Sequence, residues 1–185
     1  MQTRQVKDLM LPLDEYAVVP RSATLRQGLA TLARAQQKIP AGKPLHRAVL
    51  VTDEAGRIVG KLGQIGFLKA LEPKYETIGD LEELALARLS DDFISSLMDT
   101  YRFWQDSMDD LCRRANRIQV GQVMSPIDAS IEEGKSLSEA IHQFVMRQSL
   151  SLLVTRQGQA VGILRLSDLF LEVARFVTSV ECPEE

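Results

Sequence analysis

The chain repeats itself, and the repeat limits the folds open to it. Residues 6–14 read VKDLMLPLD and residues 120–128 read VGQVMSPID, with valine, methionine, proline and aspartate in the same places. VVPRSATLRQGL (18–29) then aligns with SIEEGKSLSEAI (130–141), so that Thr24 faces Ser136, Leu25 faces Leu137 and Leu29 faces Ile141. VLVTDEAGRIVG (49–60) answers LLVTRQGQAVG (152–162), and Gly60 falls on Gly162. Three matching pieces in the same order mark a duplicated unit.

Each copy has the same local grammar. A short apolar stretch (Ala17–Pro20; Ala129–Ile131) reads as a strand, and a helix follows it. In the first copy Ser22 is the candidate N-cap, with Leu25, Leu29 and Leu32 at helical spacing. In the second, Ser136 and Glu139 form a capping box ahead of Leu137, Ile141, Phe144 and Val145. Two strands come next. Arg47–Thr52 and Arg57–Leu62 flank Glu54-Ala55-Gly56, and Leu150–Thr155 and Ala160–Arg165 flank Gln157-Gly158, where glycine supplies a hairpin's positive φ. A last helix closes each copy, Gln64–Leu71 and Ser167–Phe176. The unit is β-α-β-β-α. One such unit makes a marginal core, and two sharing a sheet-to-sheet face make an adequate one.

The run VMSP, S-I, helix, LLVT, turn, AVGILRLSDLF resembles the CBS domain, and two such units in tandem resemble a Bateman module. The resemblance implies an α+β fold. Two CBS-type repeats, residues 4–72 and 117–178, pack as a pseudo-symmetric pair around an inserted helical segment, residues 73–116. It further implies clefts that bind adenosine-containing ligands (AMP, ADP, ATP or S-adenosylmethionine), and dimerisation. The family's motif is glycine, two apolar residues, Thr or Ser, two of any kind, then an aspartate that grips ribose. The second copy reads Gly162-Ile163-Leu164-Arg165-Leu166-Ser167-Asp168. Glycine and aspartate match, and Arg165 replaces the hydroxyl. A guanidinium there is suited to a phosphate or to a salt bridge. Asp168 is suited to a ligand or, with Ser167, to capping the last helix. The resemblance places Met124, Ser125, Pro126, Ser130 and Ile131 beside the base. The first copy reads Gly60-Lys61-Leu62-Gly63-Gln64-Ile65-Gly66, with glycine for both the hydroxyl and the acid. One usable site is therefore expected, the one at Asp168.

Residues 73–116 have no counterpart in the other copy and carry ten acids against five bases. Ile78, Leu81, Ala85, Leu89, Phe93, Leu97, Tyr101, Trp104, Met108 and Leu111 recur every three or four positions, which predicts one amphipathic helix or two, with a restart at Ser90-Asp91-Asp92. The stripe must be buried on its own module, on a second subunit or on a foreign partner, and Trp104, Tyr101 and Phe103 are natural anchors. The connection Gln37–Leu45, with Lys38, Lys43, His46 and Arg47 in or beside it, is a basic loop, either solvated or steering an anion.

Lys plus Arg is 22 against 25 for Asp plus Glu, a net charge of −3, which argues against nucleic acid as the partner. No leader or membrane span is legible, so a cytoplasmic protein is expected. Cys112 and Cys182 lack CxxC spacing, and His46 and His142 stand alone, so no metal site, cofactor or catalytic residue is expected. The expected role is a non-catalytic sensor of an adenosine-type ligand, working as a homodimer on another protein. The alternative is a structural interaction module with decayed sites that acts through its helical insert.

Overall fold

The computed structural model describes residues 4–79, 89–127 and 129–179. Its strands are β1 (Leu11–Pro12), β2 (Val18–Pro20), β3 (Ala48–Thr52), β4 (Ile58–Gly63), β5 (Ser125–Pro126), β6 (Ser130–Glu132), β7 (Ser151–Arg156) and β8 (Gln159–Arg165). The helices are α1 (Leu25–Gln37), α2 (Gln64–Leu71), α3 (Asp91–Tyr101), α4 (Met108–Arg117), α5 (Val120–Val123), α6 (Leu137–Arg147) and α7 (Leu166–Ser179). They form two four-stranded sheets, ordered β2-β3-β4-β5 and β1-β8-β7-β6, each with one parallel pair (β2 with β3, β6 with β7) and antiparallel neighbours beyond it.

The two sheet orders reveal an exchange. Strand β1 lies near the start of the first repeat yet pairs with β8 of the second, Leu11 opposite Ile163 and Pro12 opposite Gly162. Strand β5 lies near the start of the second repeat yet pairs with β4 of the first, Gly60 opposite Pro126 and Lys61 opposite Ser125. The backbone contacts are reciprocal. The Val6 amide donates to Lys135 O and the Leu137 amide to Arg4 O, while the Val120 amide donates to Ala23 O and the Leu25 amide to Ile118 O. Accordingly Val6 is buried with Ala129, Ile131, Leu137, Phe144, Leu152 and Val154, and Val120 with Ala17, Leu25, Leu32, Val49, Val51 and Phe67. A third cluster (Tyr16, Leu50 and Ile163, with Leu11, Val18 and Ile58 against it) draws on both sheets and joins them. Strands β3 and β7 are buried on both faces, which is why they read as unbroken apolar runs.

The caps follow the duplicated register. Thr24 Oγ1 accepts from the Gln27 amide and Ser136 Oγ from the Glu139 amide, each a full capping box. The expected cap at Ser22 is thus corrected to Thr24. Of Ser22 and Thr24, only Thr24 has a partner three residues on, Gln27, whose side chain returns to the cap amide, at 2.8 Å. The hairpin turns hold Gly56 at φ 76° and Gly158 at φ 79°, and Asp53 Oδ1 accepts from the Ala55 and Arg57 amides across the first.

Two helices, not one, form in the described part of the insert. Ser90 caps α3 and Ser107 caps α4, and the chain breaks between them with Arg102 and Trp104 at φ 51° and 57°. Helix α4 packs on α1 and α2 and sinks Ala115 into the first core, whereas α3 buries none of its residues. Leu81 and Ala85 of the expected stripe lie outside the described residues. The corner is closed by Glu72, which is fully buried and accepts from the Trp104 amide at 2.7 Å. Phe103, also buried, stacks on Tyr75 at 4.5 Å.

Both motif glycines sit under the exchanged strands. A Cβ on Gly162 would lie 2.5 Å from Leu11 O and 3.0 Å from Met10 Sδ. One on Gly60 would lie 2.5 Å from Met124 Sδ and 2.9 Å from Ser125 O. Close approach of a crossing backbone is what glycine in a strand permits. Gly162→Ala should therefore lower unfolding stability by about 1–3 kcal/mol in urea titrations. Gly134→Ala, where nothing lies within 4 Å, should leave it unchanged within about 0.5 kcal/mol.

Candidate ligand-binding site

Arg165 ends β8 and is only 6% exposed, so its charge must be satisfied inside the protein. Its Nε and Nη2 donate to the two carboxylate oxygens of Asp168, Nη2 to Oδ1 at 2.8 Å. Its Nη1 donates to Pro44 O at 2.8 Å and lies 3.2 Å from His46 Nδ1. One guanidinium thus fastens the start of α7, in the second repeat, to the loop of the first. The pairing is three residues apart along the chain, with β8 supplying the buried arginine and the first turn of α7 the acid.

His46 completes this cluster. Its ring is buried and meets Tyr16 edge-on with centroids 4.4 Å apart, and its Nε2 has no partner among the described residues. Burial, reinforced by the Arg165 charge, holds its pKa below the usual histidine value, so it stays neutral beside the guanidinium. Burial also pushes the Tyr16 hydroxyl up to about 12, although Arg165 pulls the other way. Neither residue stood out in the sequence. His46 reads as part of a basic loop, and Tyr16 falls in no repeating pattern. His142, in contrast, is exposed on α6.

A cavity of about 740 Å³ opens beside this cluster, between the repeats. One wall is the first repeat's Arg47, Ala48, the run Lys61–Gly66 and Lys69. The other is the second repeat's Arg147–Ser151 with Arg165 and Ser167. Tyr16, Gln122 and Ser125 also face it. Five of these residues are cationic, and Glu76 is the one acid in the lining among the described residues. The side chains of Arg47 and Lys69 make no hydrogen bond or ion pair among the described residues.

The expected site residues divide. Arg165, Ser167 and Ser125 come together on the cavity. Asp168 stands behind Arg165, with both oxygens engaged. Met124 packs against the first core and lies over Gly60, Pro126 pairs with Gly60, Ser130 pairs with Leu153, and Ile131 is in the second core. Helix α7 starts at Leu166, so Ser167 and Asp168 lie in its first turn instead of ahead of it. A second, smaller cavity of about 430 Å³ is apolar and lies against α2 and the insert, lined by Ile65, Leu68, Lys69, Tyr75 and Trp104. Among the described residues no group of three or more His, Cys, Asp or Glu is placed to hold a metal, and no helix is long and apolar enough to cross a membrane.

Residues 120–175 match the family model of the CBS domain. No curated protein sequence matches the chain. Solved structures do. CBSX2 in complex with AMP is 20% identical with a TM-score of 0.56, over 94% of this chain and 98% of that one. The CBS domain of a CBS domain-containing membrane protein from Sphaerobacter thermophilus is 18% identical with a TM-score of 0.62, over 92% and 88%. A CBS domain-containing protein of unknown function from Bacillus anthracis is 16% identical with a TM-score of 0.63, over 94% and 95%. At these identities the likeness establishes the fold.

The buried pair yields a double-mutant test. Asp168→Ala or Arg165→Met alone strands one buried charge and should cost about 3–5 kcal/mol in equilibrium unfolding. The double variant Arg165→Met with Asp168→Leu should be more stable than either single variant, because it leaves no buried charge behind.

Proposed function

Because the second repeat is a CBS domain and the whole chain has the fold of a CBS pair, we propose that this protein is a non-catalytic regulatory module that binds an adenine nucleotide between its repeats. The observation that carries this reading is the 740 Å³ cavity lined by both copies of the motif and by cations from both repeats. That volume suits a nucleotide, since ligand pockets run from about 300 to 1,000 Å³. CBSX2, of the same fold, was solved with AMP. In this reading Arg165, Arg47 and Lys69 face the phosphates, Ser125 and Ser167 supply hydroxyls, and Asp168 reaches a sugar hydroxyl only by exchanging Arg165 for it. Binding that favours one arrangement of the repeats over another is the signal.

The signal passes to other chains through apolar faces that the fold leaves open. Ile65 and Leu68 on α2 are 69% and 52% exposed, and Phe170 and Phe176 on α7 are 67% and 54% exposed. A homodimer that covers these faces, with Trp104 at its margin, is the assembly proposed. The second reading, a module whose insert docks another protein, is favoured by the apolar cavity between α2 and Trp104.

Calorimetry and thermal shift with AMP, ADP, ATP and S-adenosylmethionine test the sensor. At least one nucleotide should bind below millimolar, and at about 100 times its Kd should add about 2.7 kcal/mol of stability. No binding by any of them leaves the interaction-module reading in its place. Light scattering tests the assembly. The wild type should be dimeric at tens of micromolar, and Ile65→Asp with Phe170→Asp should be monomeric and folded. A monomeric wild type sinks the dimer.

A further inference from the structure

We infer that the cavity selects its ligand by negative charge and is indifferent to the sugar, because the protein's own Arg165 already occupies the carboxylate that a sugar would need. The inference rests on reading the cavity as the ligand site. A cis-diol is held by an acceptor with two free lone pairs in fixed geometry, and a carboxylate is the side chain that offers them. Asp168 does not offer them to the cavity, because Arg165 and Ser167 line it, whereas Asp168 does not and stands behind the guanidinium. Each of its oxygens takes a charge-assisted hydrogen bond from the same guanidinium, a planar match that two hydroxyls cannot equal. The guanidinium is itself held on its far side by Pro44 O and lies against His46, both from the first repeat. Freeing Asp168 therefore requires breaking a contact between the repeats as well as a buried ion pair. The first copy offers no substitute, since Gly63 and Gly66 stand at its two corresponding positions.

What the cavity does present is positive charge. Arg47 and Lys69 have no side-chain partner among the described residues, and Lys61, Arg147 and Arg165 bring the cations of the lining to five. Tyr16 lines the same space, is nine-tenths buried, and its hydroxyl makes no hydrogen bond among the described residues. Cations in a partly enclosed cleft attract anions more strongly than they do in open water. The ligand class is thus a polyphosphate-bearing anion, with affinity set by its charge. A neutral nucleoside lacks the recognised group, and S-adenosylmethionine brings a sulfonium cation into a cationic cleft.

The test is a calorimetric panel on the full-length wild type: ATP, 2′-deoxy-ATP, AMP, adenosine, S-adenosylmethionine and inorganic tripolyphosphate, each at low and high salt. ATP and 2′-deoxy-ATP should bind within about threefold of each other, adenosine and S-adenosylmethionine at least about a hundredfold more weakly, and salt should weaken ATP. Lys69→Gln and Arg47→Gln should each weaken ATP about tenfold. Arg165→Thr, which frees Asp168, should make 2′-deoxy-ATP measurably weaker than ATP. If that variant does not fold, the wild-type panel still decides. Charge selection is overturned if 2′-deoxy-ATP binds more than tenfold more weakly than ATP, or if adenosine or S-adenosylmethionine comes within tenfold of it. In the latter case the adenosine site stands without its charge rule. Tripolyphosphate binding as tightly as ATP keeps the charge rule and removes the adenine. Failure of every compound overturns both.

Discussion

A crossing backbone over a glycine holds this molecule together. Strand β1 lies against Gly162 and β5 against Gly60, each strand coming from the start of the opposite repeat. This exchange ties the two repeats together. It brings Val6 and Val120 into the cores they complete, it covers an edge of each sheet, and it sets the two sheets face to face through Leu50 and Ile163. Open edges invite pairing with other chains, and the exchange closes two of them.

The Arg165 cluster is the second tie, and it differs in kind. The crossing strands are held by backbone hydrogen bonds and apolar packing, whereas the cluster is a buried charge satisfied by three partners from both repeats. Buried ion pairs contribute little net stability against an apolar replacement. They contribute geometry, since a planar fork accepts few arrangements of its partners. The cluster therefore fixes how the loop before His46 sits on the second repeat more than it fixes how strongly.

Much of the fold was legible in the sequence because it is local and doubled. Thr24 aligns with Ser136, and that register points to the true cap, whereas the first copy by itself offers Ser22 equally well. The break between α3 and α4 hid behind an apolar spacing that runs straight through it, because Arg102 and Trp104 adopt left-handed backbone without glycine. The cavity was less legible. Arg165 and Asp168 fall in one motif, and the motif leaves phosphate contact or a salt bridge open for the arginine. The partners that settle its contacts here, Pro44 and His46, are about 120 residues away. Glu72 gave no signal either, since an acid after a helix reads as surface until the Trp104 amide arrives from a distant turn.

The exchange also has an order in time. The first repeat's sheet needs β5, so its last strand is Ser125–Pro126, and its core waits for Val120. On a ribosome the chain from Val18 to Leu71 emerges well before either residue. For that interval it exposes the unpaired edge of β4 and an unfilled hollow beside Phe67. The second repeat has the opposite history, because Val6 and β1 are made first and stand ready when β8 appears. Long-range closure of this kind slows folding and leaves the earlier half exposed to its neighbours. The intervening helices set how long the nascent first repeat must stay open.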